Sequence, residues 1–397
     1  MFEALQALSP DPILGLMAAF REDPRTQKID LGVGVYRDEA GNTPIMQCVL
    51  EAERRRFATE TTKTYIGPPG TPEFNVAARA LMFGHGHAVL RDQRVAGVQT
   101  PGGCGALRVA AELIKRARPE TTIWVSNPTW ANHVPLLGNA GLQIREYPYY
   151  AQATHGLDAD AMLSALSEVP RGDVVLLHGC CHNPSGVDLK PEHWTAIARL
   201  ANERGFTPFI DLAYQGLGDG LVEDAAGVGI MAESCAELVV ASSYSKNFGL
   251  YRERVGALQI VSADRPRTAI VQSQLGSVVR GIYSMPPAHG AAIVEIVLND
   301  EALHAAWIRE LDGMRDRING LRDLLATRLS AATGQDFGFI RDQRGMFSFL
   351  GVSPAEVKRL QSEFAIYMVD SSRINVAGIN GANIDYFVDA MAQVIGG

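Results

Sequence analysis

Lys246 follows the run Leu238-Val-Val-Ala-Ser-Ser243, inside the small polar segment Ser243-Tyr-Ser-Lys-Asn-Phe-Gly249. The mostly apolar residues before it read as a strand, which leaves one amine at the lip of a sheet. Arg252 and Arg254 come shortly after. Two nearby cations, with partial desolvation, lower an ammonium's pKa toward the range in which the free amine attacks a carbonyl. Such a lysine forms a Schiff base; a solvated surface lysine is the alternative. Asp211 ends the apolar run Thr207-Pro-Phe-Ile-Asp211, where an unpaired charge is costly and calls for a cationic or N–H partner, such as a protonated ring nitrogen. Tyr214, just beyond it, offers a phenolic hydrogen bond to the same ligand's ring oxygen. An Asp that caps the next helix is the competing reading.

Pro101-Gly-Gly-Cys-Gly-Ala-Leu107 precedes a helical pattern over Arg108–Arg116. Glycines that open a helix leave N–H groups free for a phosphate at the positive end of its dipole, although a plain glycine-rich turn stays open. The segment lacks the Gly-Lys-Ser/Thr of a P-loop and the third glycine of a dinucleotide fingerprint. Arg373, in Asp370-Ser-Ser-Arg-Ile-Asn-Val-Ala-Gly378, heads a strand-like run and offers a fork for a carboxylate. Arg280, in Ser277-Val-Val-Arg-Gly-Ile-Tyr-Ser284, is a second arginine in apolar company. For either, a stem that runs out to the surface is the alternative. His178-Gly-Cys-Cys-His-Asn-Pro-Ser-Gly186 invites a zinc reading. An extended segment would point Cys181 away from His178, Cys180 and His182, and no second Cys/His cluster completes four ligands, so no metal is expected. Asn183-Pro-Ser-Gly186 is a turn signal at a strand end, which makes Asn183 a hydrogen-bond donor to a ligand.

The elements that must carry these residues follow a rhythm. Thr122–Ser126, Asp173–His178, Thr207–Asp211 and Leu238–Ser242 are short β-rich runs separated by amphipathic or Ala-rich stretches, so βαβ units and a mostly parallel sheet are expected. Ligands then sit beyond the carboxyl ends of the strands, where His178, Asp211 and the Lys246 turn lie. Ala291–Leu329 reads as a long helix bridging to a second domain, in which Phe337–Leu350 and Ala365–Val376 are strands flanking the helix Ser353–Phe364. At 397 residues the chain exceeds the single-core limit of about 250 to 300, which also calls for two domains. Net charge is −8 with dispersed basic residues, so no nucleic-acid footprint is present and partners should be small molecules or protein. No run of about 18 apolar residues appears, and Glu3, Asp11, Glu22 and Asp23 occupy the start where an export signal would be basic and then apolar. Five cysteines, Cys48, Cys104, Cys180, Cys181 and Cys235, are an odd number that fits reduced thiols in a cytoplasm.

Taken together, Leu31-Gly-Val-Gly-Val-Tyr36, Ser243-Tyr-Ser-Lys246 and Arg373-Ile-Asn-Val-Ala-Gly378 resemble, nearly end to end, the pyridoxal-phosphate aminotransferases of the aspartate and aromatic amino acid group. The resemblance implies an α/β large domain (45–312) with a mostly parallel seven-stranded sheet wrapped by helices. It also implies a smaller α+β domain (13–44 and 313–397), an N-terminal arm (1–12), and a homodimer with shared sites. It implies Lys246 as the Schiff-base lysine, Asp211 at the pyridine nitrogen, and Tyr214 with Asn183 at the ring oxygen. Gly103, Cys104, Ser243 and Arg254 would hold the phosphate with Tyr65 of the partner subunit, and Trp130 would stack on the ring. Gly34, Trp130 and Asn183 would border the substrate, His133 would support Asp211, and His178 would lie beneath the ring. Arg373 would take the α-carboxylate and Arg280 of the partner subunit the distal one. Cys104 stands where threonine or serine is usual, and Met285 where aspartate-selective members have asparagine. An apolar side chain there makes room for an aromatic ring. The implied reaction is ping-pong transamination between aromatic amino acids or aspartate and 2-oxoglutarate. The alternatives are a strictly aspartate-selective enzyme or another pyridoxal-phosphate lyase.

Overall fold

The computed structural model describes residues 1–7 and 12–395. Part of the arm expected over residues 1–12 therefore lies outside the described residues. The chain divides into two compact units: Pro44–Arg317 with Gln343–Gly345, and Met1–Thr43 with Ile318–Asp342 and Met346–Gly397.

The first unit is built on a seven-stranded sheet. Its strands in chain order are β1 (Val95–Pro101), β2 (Thr122–Asn127), β3 (Gln143–Pro148), β4 (Val174–His178), β5 (Thr207–Leu212), β6 (Leu238–Ser243) and β7 (Val255–Val261). They lie side by side as β1-β7-β6-β5-β4-β2-β3. Pairing is parallel from β6 through β5, β4 and β2 to β3, while β7 runs antiparallel between β1 and β6. Every side chain of β4, Val-Val-Leu-Leu-His, is buried. Successive side chains point to opposite faces, so a strand with no exposed position must be covered on both, which is why it reads as a continuous apolar run. Helix α1 (Gly102–Ala117) packs one face through Ala106, Leu107, Val109, Ala110 and Ala111, and α2 (Arg265–Ile282) adds Leu275, Val278 and Val279 to the same core.

Three of the seven strands, β1, β3 and β7, are not anticipated by the local pattern. The long helix expected over Ala291–Leu329 is two helices, Ala288–Asn299 and Glu301–Thr333. Asp300 interrupts it, because its carboxylate accepts from the Leu303 N–H at 2.9 Å and so restarts the chain as an N-cap.

The second unit has its own core around Leu31, Leu325, Ile340, Leu360, Ile374 and Phe387. Ile29–Asp30 pairs in parallel with Ile366–Tyr367, and Phe347–Phe349 pairs antiparallel with Arg373–Asn375. The helix Pro354–Phe364 starts at a capping box of Ser353 and Glu356, as its sequence foretells. The strand expected over Phe337–Leu350 is corrected: Phe339–Asp342 is a helical turn, and only Phe347–Phe349 is extended. No described helix is long and apolar enough to cross a membrane.

Candidate active site

The carboxyl ends of β4, β5 and β6 place three chemistries beside one another. His178, the last residue of β4, pairs in register with Asp211 of β5, and Asp211 pairs with Ala241 of β6. Beyond β6 the chain turns, and Lys246 sits with its Nζ 4.8 Å from the centroid of the Tyr214 ring. Burial lowers the Lys246 pKa and Arg254 adds to the effect, while Asp211 and Cys104 act the other way. Arg252, expected to contribute, is exposed and is not among the groups that shift it. Of the two causes the sequence names, desolvation is the larger and Arg254 the lesser.

Asp211 is buried. Burial raises its pKa, but the hydrogen bond with His133 and the neighbouring His133, His178 and Lys246 outweigh it, so the carboxyl lies below its ordinary value. His133 Nε2 is 3.0 Å from Asp211 Oδ2. An ionised carboxylate only accepts, so Nε2 carries the proton. Thr129 Oγ links the two rings, lying 2.8 Å from His133 Nδ1 and 3.1 Å from His178 Nε2. Burial, with repulsion from His133, pushes the His178 pKa down to about 3 despite the pull of Asp211, so His178 is neutral at neutral pH. His182 lies 4.1 Å from His178, ring to ring, and stacks on Tyr149 at 4.2 Å. Trp130 meets His133 edge to face, with centroids 5.2 Å apart. Asn183 and Tyr214 are both buried.

The glycine-rich segment opens α1 as expected, although the helix starts at Gly102, ahead of the pattern at Arg108. Gly102 has φ +73°, and a Cβ on it would lie 2.3 Å from Arg254 Nη2. Gly103 faces Ser243, whose side chain a Cβ would approach to 3.2 Å. Arg254, itself at φ +55°, donates to Ser245 Oγ at 3.3 Å and to the Tyr251 carbonyl at 3.0 Å. Ser243 Oγ donates to Ser245 Oγ at 3.1 Å. A helix N-terminus, two hydroxyls and a guanidinium thus converge where the missing Cβ of Gly102 lets Arg254 come close, the donor set an anion requires. Cys104 lies in the first turn of α1, its sulfur 3.9 Å from Asn132 Nδ2.

Tyr65, Arg280 and Met285 line a separate cavity of about 320 Å³ with Ile66, Pro68 and Ser284. Tyr65 is 93% exposed on the isolated chain.

In the second unit, the Arg373 guanidinium lies 4.5 Å from the centroid of the Phe347 ring, and its Nη2 donates to the Gly32 carbonyl at 2.6 Å. A Cβ on Gly34 would come within 2.7 Å of the same ring. Asn375 Nδ2 donates to the carbonyls of Val33 and Val35, each at 2.7 Å, fastening the Gly-Val-Gly-Val segment beside Arg373.

The His-Cys-Cys-His string is not extended, because Cys181 adopts φ +50°. Consequently Cys181 does not point away from Cys180: both sulfurs lie within 4.8 Å of each other and of an Asp224 oxygen. The Asp224 carboxylate accepts from the N–H groups of Gly216, Gly218 and Asp219. Thr129 and Ser245 are not singled out by the sequence. Thr129 falls in the irregular Asn-Pro-Thr-Trp loop with no periodic signal; Ser245 is only visible as the neighbour of Lys246.

The profile of the class I and II aminotransferases matches residues 26–391. The chain belongs to this family. It is 48% identical over 396 residues to an aspartate aminotransferase of Escherichia coli, with 100% of each chain covered. It is 47% identical over 395 residues to an aromatic-amino-acid aminotransferase of Paracoccus denitrificans, covering 99% of this chain and 100% of the other. An aromatic-amino-acid aminotransferase of Burkholderia pseudomallei, solved covalently bound to pyridoxal phosphate, superposes with a TM-score of 0.98 at 42% identity, covering 100% of this chain and 99% of that one. The seven-stranded, mostly parallel sheet is the one the resemblance implies.

Proposed function

We propose that this aminotransferase moves an amino group between aspartate or an aromatic amino acid and a 2-oxo acid such as 2-oxoglutarate, in two ping-pong half-reactions with pyridoxal 5'-phosphate. The observation that carries the proposal is the half-buried Lys246 amine over the Tyr214 ring, together with a carboxylate hydrogen-bonded to His133 and held below its ordinary pKa. The donor set gathered around Gly102 and Arg254, an acid suited to a ring nitrogen and a lysine with a lowered pKa match the three ends of this cofactor. Once bound, the cofactor supplies an electron sink for the pair released at the substrate Cα.

The chain's own residues do the rest. Asp211 stabilises a proton on the ring nitrogen by its charge. The Tyr214 hydroxyl and Asn183 amide orient the ring oxygen. Gly103, Cys104, Ser243 and Arg254 grip the phosphate with Tyr65 of the partner subunit, and Trp130 covers the ring. Lys246 Nζ, whose pKa burial lowers, takes the Cα proton as general base. Arg373 binds the α-carboxylate beside Gly34, and Arg280 of the partner subunit takes the distal carboxylate. By leaving the Cα–H bond exposed between two gripped carboxylates, the arginines favour transamination over a lyase reaction.

Dual specificity is supported by Met285, which lines the same cavity as Arg280, and by relatives named for aspartate and for aromatic substrates at nearly equal identity, 48% and 47%. The exposure of Tyr65 and its place in a cavity with Arg280 favour a homodimer in which both residues serve the opposite site. The small domain of 13–44 and 313–397, the large one of 45–312 and a cytoplasmic location belong to the same reading. Lys246→Ala should abolish turnover while pyridoxal phosphate still binds. Near-wild-type turnover by this variant without added amines would refute the assignment.

A further inference from the structure

Lys246 and Tyr214 sit on two separate turns, one after β6 and one after β5. The chemistry needs the amine held above the ring, so the two turns must keep a fixed spacing. One residue ties the turns together. Asn247 Nδ2 donates to the Gln215 carbonyl at 3.1 Å, across from the Lys246 turn to the Tyr214 turn. The Asn247 carbonyl accepts from Trp307 Nε1 at 2.7 Å. Gln215 is anchored in turn, because its Nε2 donates to the carbonyls of Leu81 at 3.0 Å and Leu221 at 2.9 Å. Trp307 is fixed by stacking on Phe248, with centroids 4.5 Å apart, and Phe248 meets Tyr244 edge to face at 5.8 Å. Residues on both sides of Lys246 are therefore locked into one aromatic column, and the amide of Asn247 ties that column to the Tyr214 turn.

A second detail singles out the amide. Asn247 Oδ1 is buried with no hydrogen-bond partner, and the residue is 1% exposed. An orphaned buried acceptor destabilises the fold, and an apolar residue of the same shape would avoid it. The amide is thus an unfavourable choice for packing alone, and its N–H group is the part that does something.

We propose that Asn247 is a positioning residue that sets the distance between the Lys246 amine and the Tyr214 ring, with the Trp307 indole N–H as its second anchor. The inference rests on Lys246 being the base of the proposed transamination. It goes beyond that reading because neither Asn247 nor Trp307 touches the cofactor or the substrate in it.

The test uses holoenzyme of wild type, Asn247→Leu and Trp307→Phe. Leu keeps the shape of Asn without its polar atoms; Phe keeps a ring against Phe248 without the N–H. Misplacing a reacting group by under 1 Å costs on the order of tenfold or more in rate. We therefore expect kcat to fall about tenfold in Asn247→Leu and roughly threefold in Trp307→Phe, equally for aspartate and phenylalanine. KM should stay within about twofold, since the substrate-binding arginines are untouched. Two readouts separate positioning from mere structural support. The thermal midpoint of the apoprotein should stay close to wild type in Asn247→Leu, because the orphaned Asn247 acceptor is gone while the Gln215 carbonyl loses its donor. The rate at which the apoprotein captures pyridoxal phosphate at Lys246, followed by visible absorption, should fall with kcat. A kcat within twofold of wild type in a folded, fully loaded Asn247→Leu enzyme would overturn the inference, as would a kcat loss that only tracks a lowered thermal midpoint. If Lys246→Ala retained turnover, the base assignment itself would fail. If Lys246→Ala is dead and Asn247→Leu unchanged, only the role of Asn247 is lost.

Discussion

Gly102→Ala is the sharpest probe of the anion cradle. The added carbon would lie 2.3 Å from Arg254 Nη2 and 2.7 Å from its Cζ, whereas an unstrained contact needs about 3.5 Å or more. The guanidinium must retreat by about 1 Å, which disturbs its bonds to Ser245 Oγ and the Tyr251 carbonyl. Alanine at φ +73° adds about 1–2 kcal/mol of backbone strain. A retreating Arg254 weakens one charge-assisted bond to the phosphate, about 1.5–3 kcal/mol, which is roughly ten- to a hundredfold in Kd. Equilibrium dialysis of apoprotein against pyridoxal phosphate measures this directly, with thermal unfolding of the apoprotein alongside. Gly313→Ala is the control: it lies inside the helix Glu301–Thr333 with nothing within 4 Å of a Cβ, so it should leave Kd unchanged and stabilise by about 0.5–1 kcal/mol. A folded Gly102→Ala protein with wild-type Kd would show that Arg254 and the start of α1 do not form the phosphate site.

Arg280→Ala should lower kcat/KM for aspartate and glutamate by about 2 kcal/mol, roughly thirtyfold, with little effect on phenylalanine or tyrosine; equal losses for both classes in steady-state assays would remove the distal-carboxylate role. His178 is pushed from its ordinary value of 6.5 to about 3, so between those pH values the unfolded chain binds a proton that the folded one refuses. Stability must then fall as pH drops from about 6.5 toward 3, and His178→Asn should flatten that limb in thermal unfolding measured against pH. Asp211 adds to the same trend, because its depressed pKa stabilises the fold above its ordinary value of 3.8 and that contribution is lost as pH falls through the folded value. An identical pH slope in wild type and variant would mean that His178 is not a buried neutral group.

How much of this was legible in the residues depends on how local the signal is. The strands that carry the chemistry, β4, β5 and β6, announce themselves because they are buried on both faces and read as short continuous apolar runs. The missed strands break that rule for identifiable reasons. β1 and β7 contain Gly97, Gln99, Gly256 and Gln259, where small or polar residues replace branched apolar ones, and β3 is an edge strand with mostly exposed side chains. Gly256 could not be otherwise, since a Cβ there would lie 2.4 Å from the Gly102 carbonyl carbon. Individual site residues were legible wherever a charge or amine interrupts an apolar run, as at Lys246, Asp211 and Arg373. The connections between them were not. Thr129 joins His133 to His178 only because a loop after β2 folds back over the ends of β4 and β5. Of the causes expected for the lysine shift, desolvation and Arg254 act and Arg252 does not, since a sequence displays neighbouring charges but not which of them end up close or how far burial dominates. Likewise the left-handed Cys181 brings its sulfur toward Cys180 in a string that an extended chain would splay.

The central claim is that the amine of residue 246 is the group that joins the cofactor. Borohydride reduction of the holoenzyme, followed by peptide mass spectrometry, tests it most directly. The account requires one pyridoxyl-phosphate adduct per chain, on Lys246, and none on the same peptide in Lys246→Ala. An adduct on a different lysine in the wild-type enzyme would contradict it.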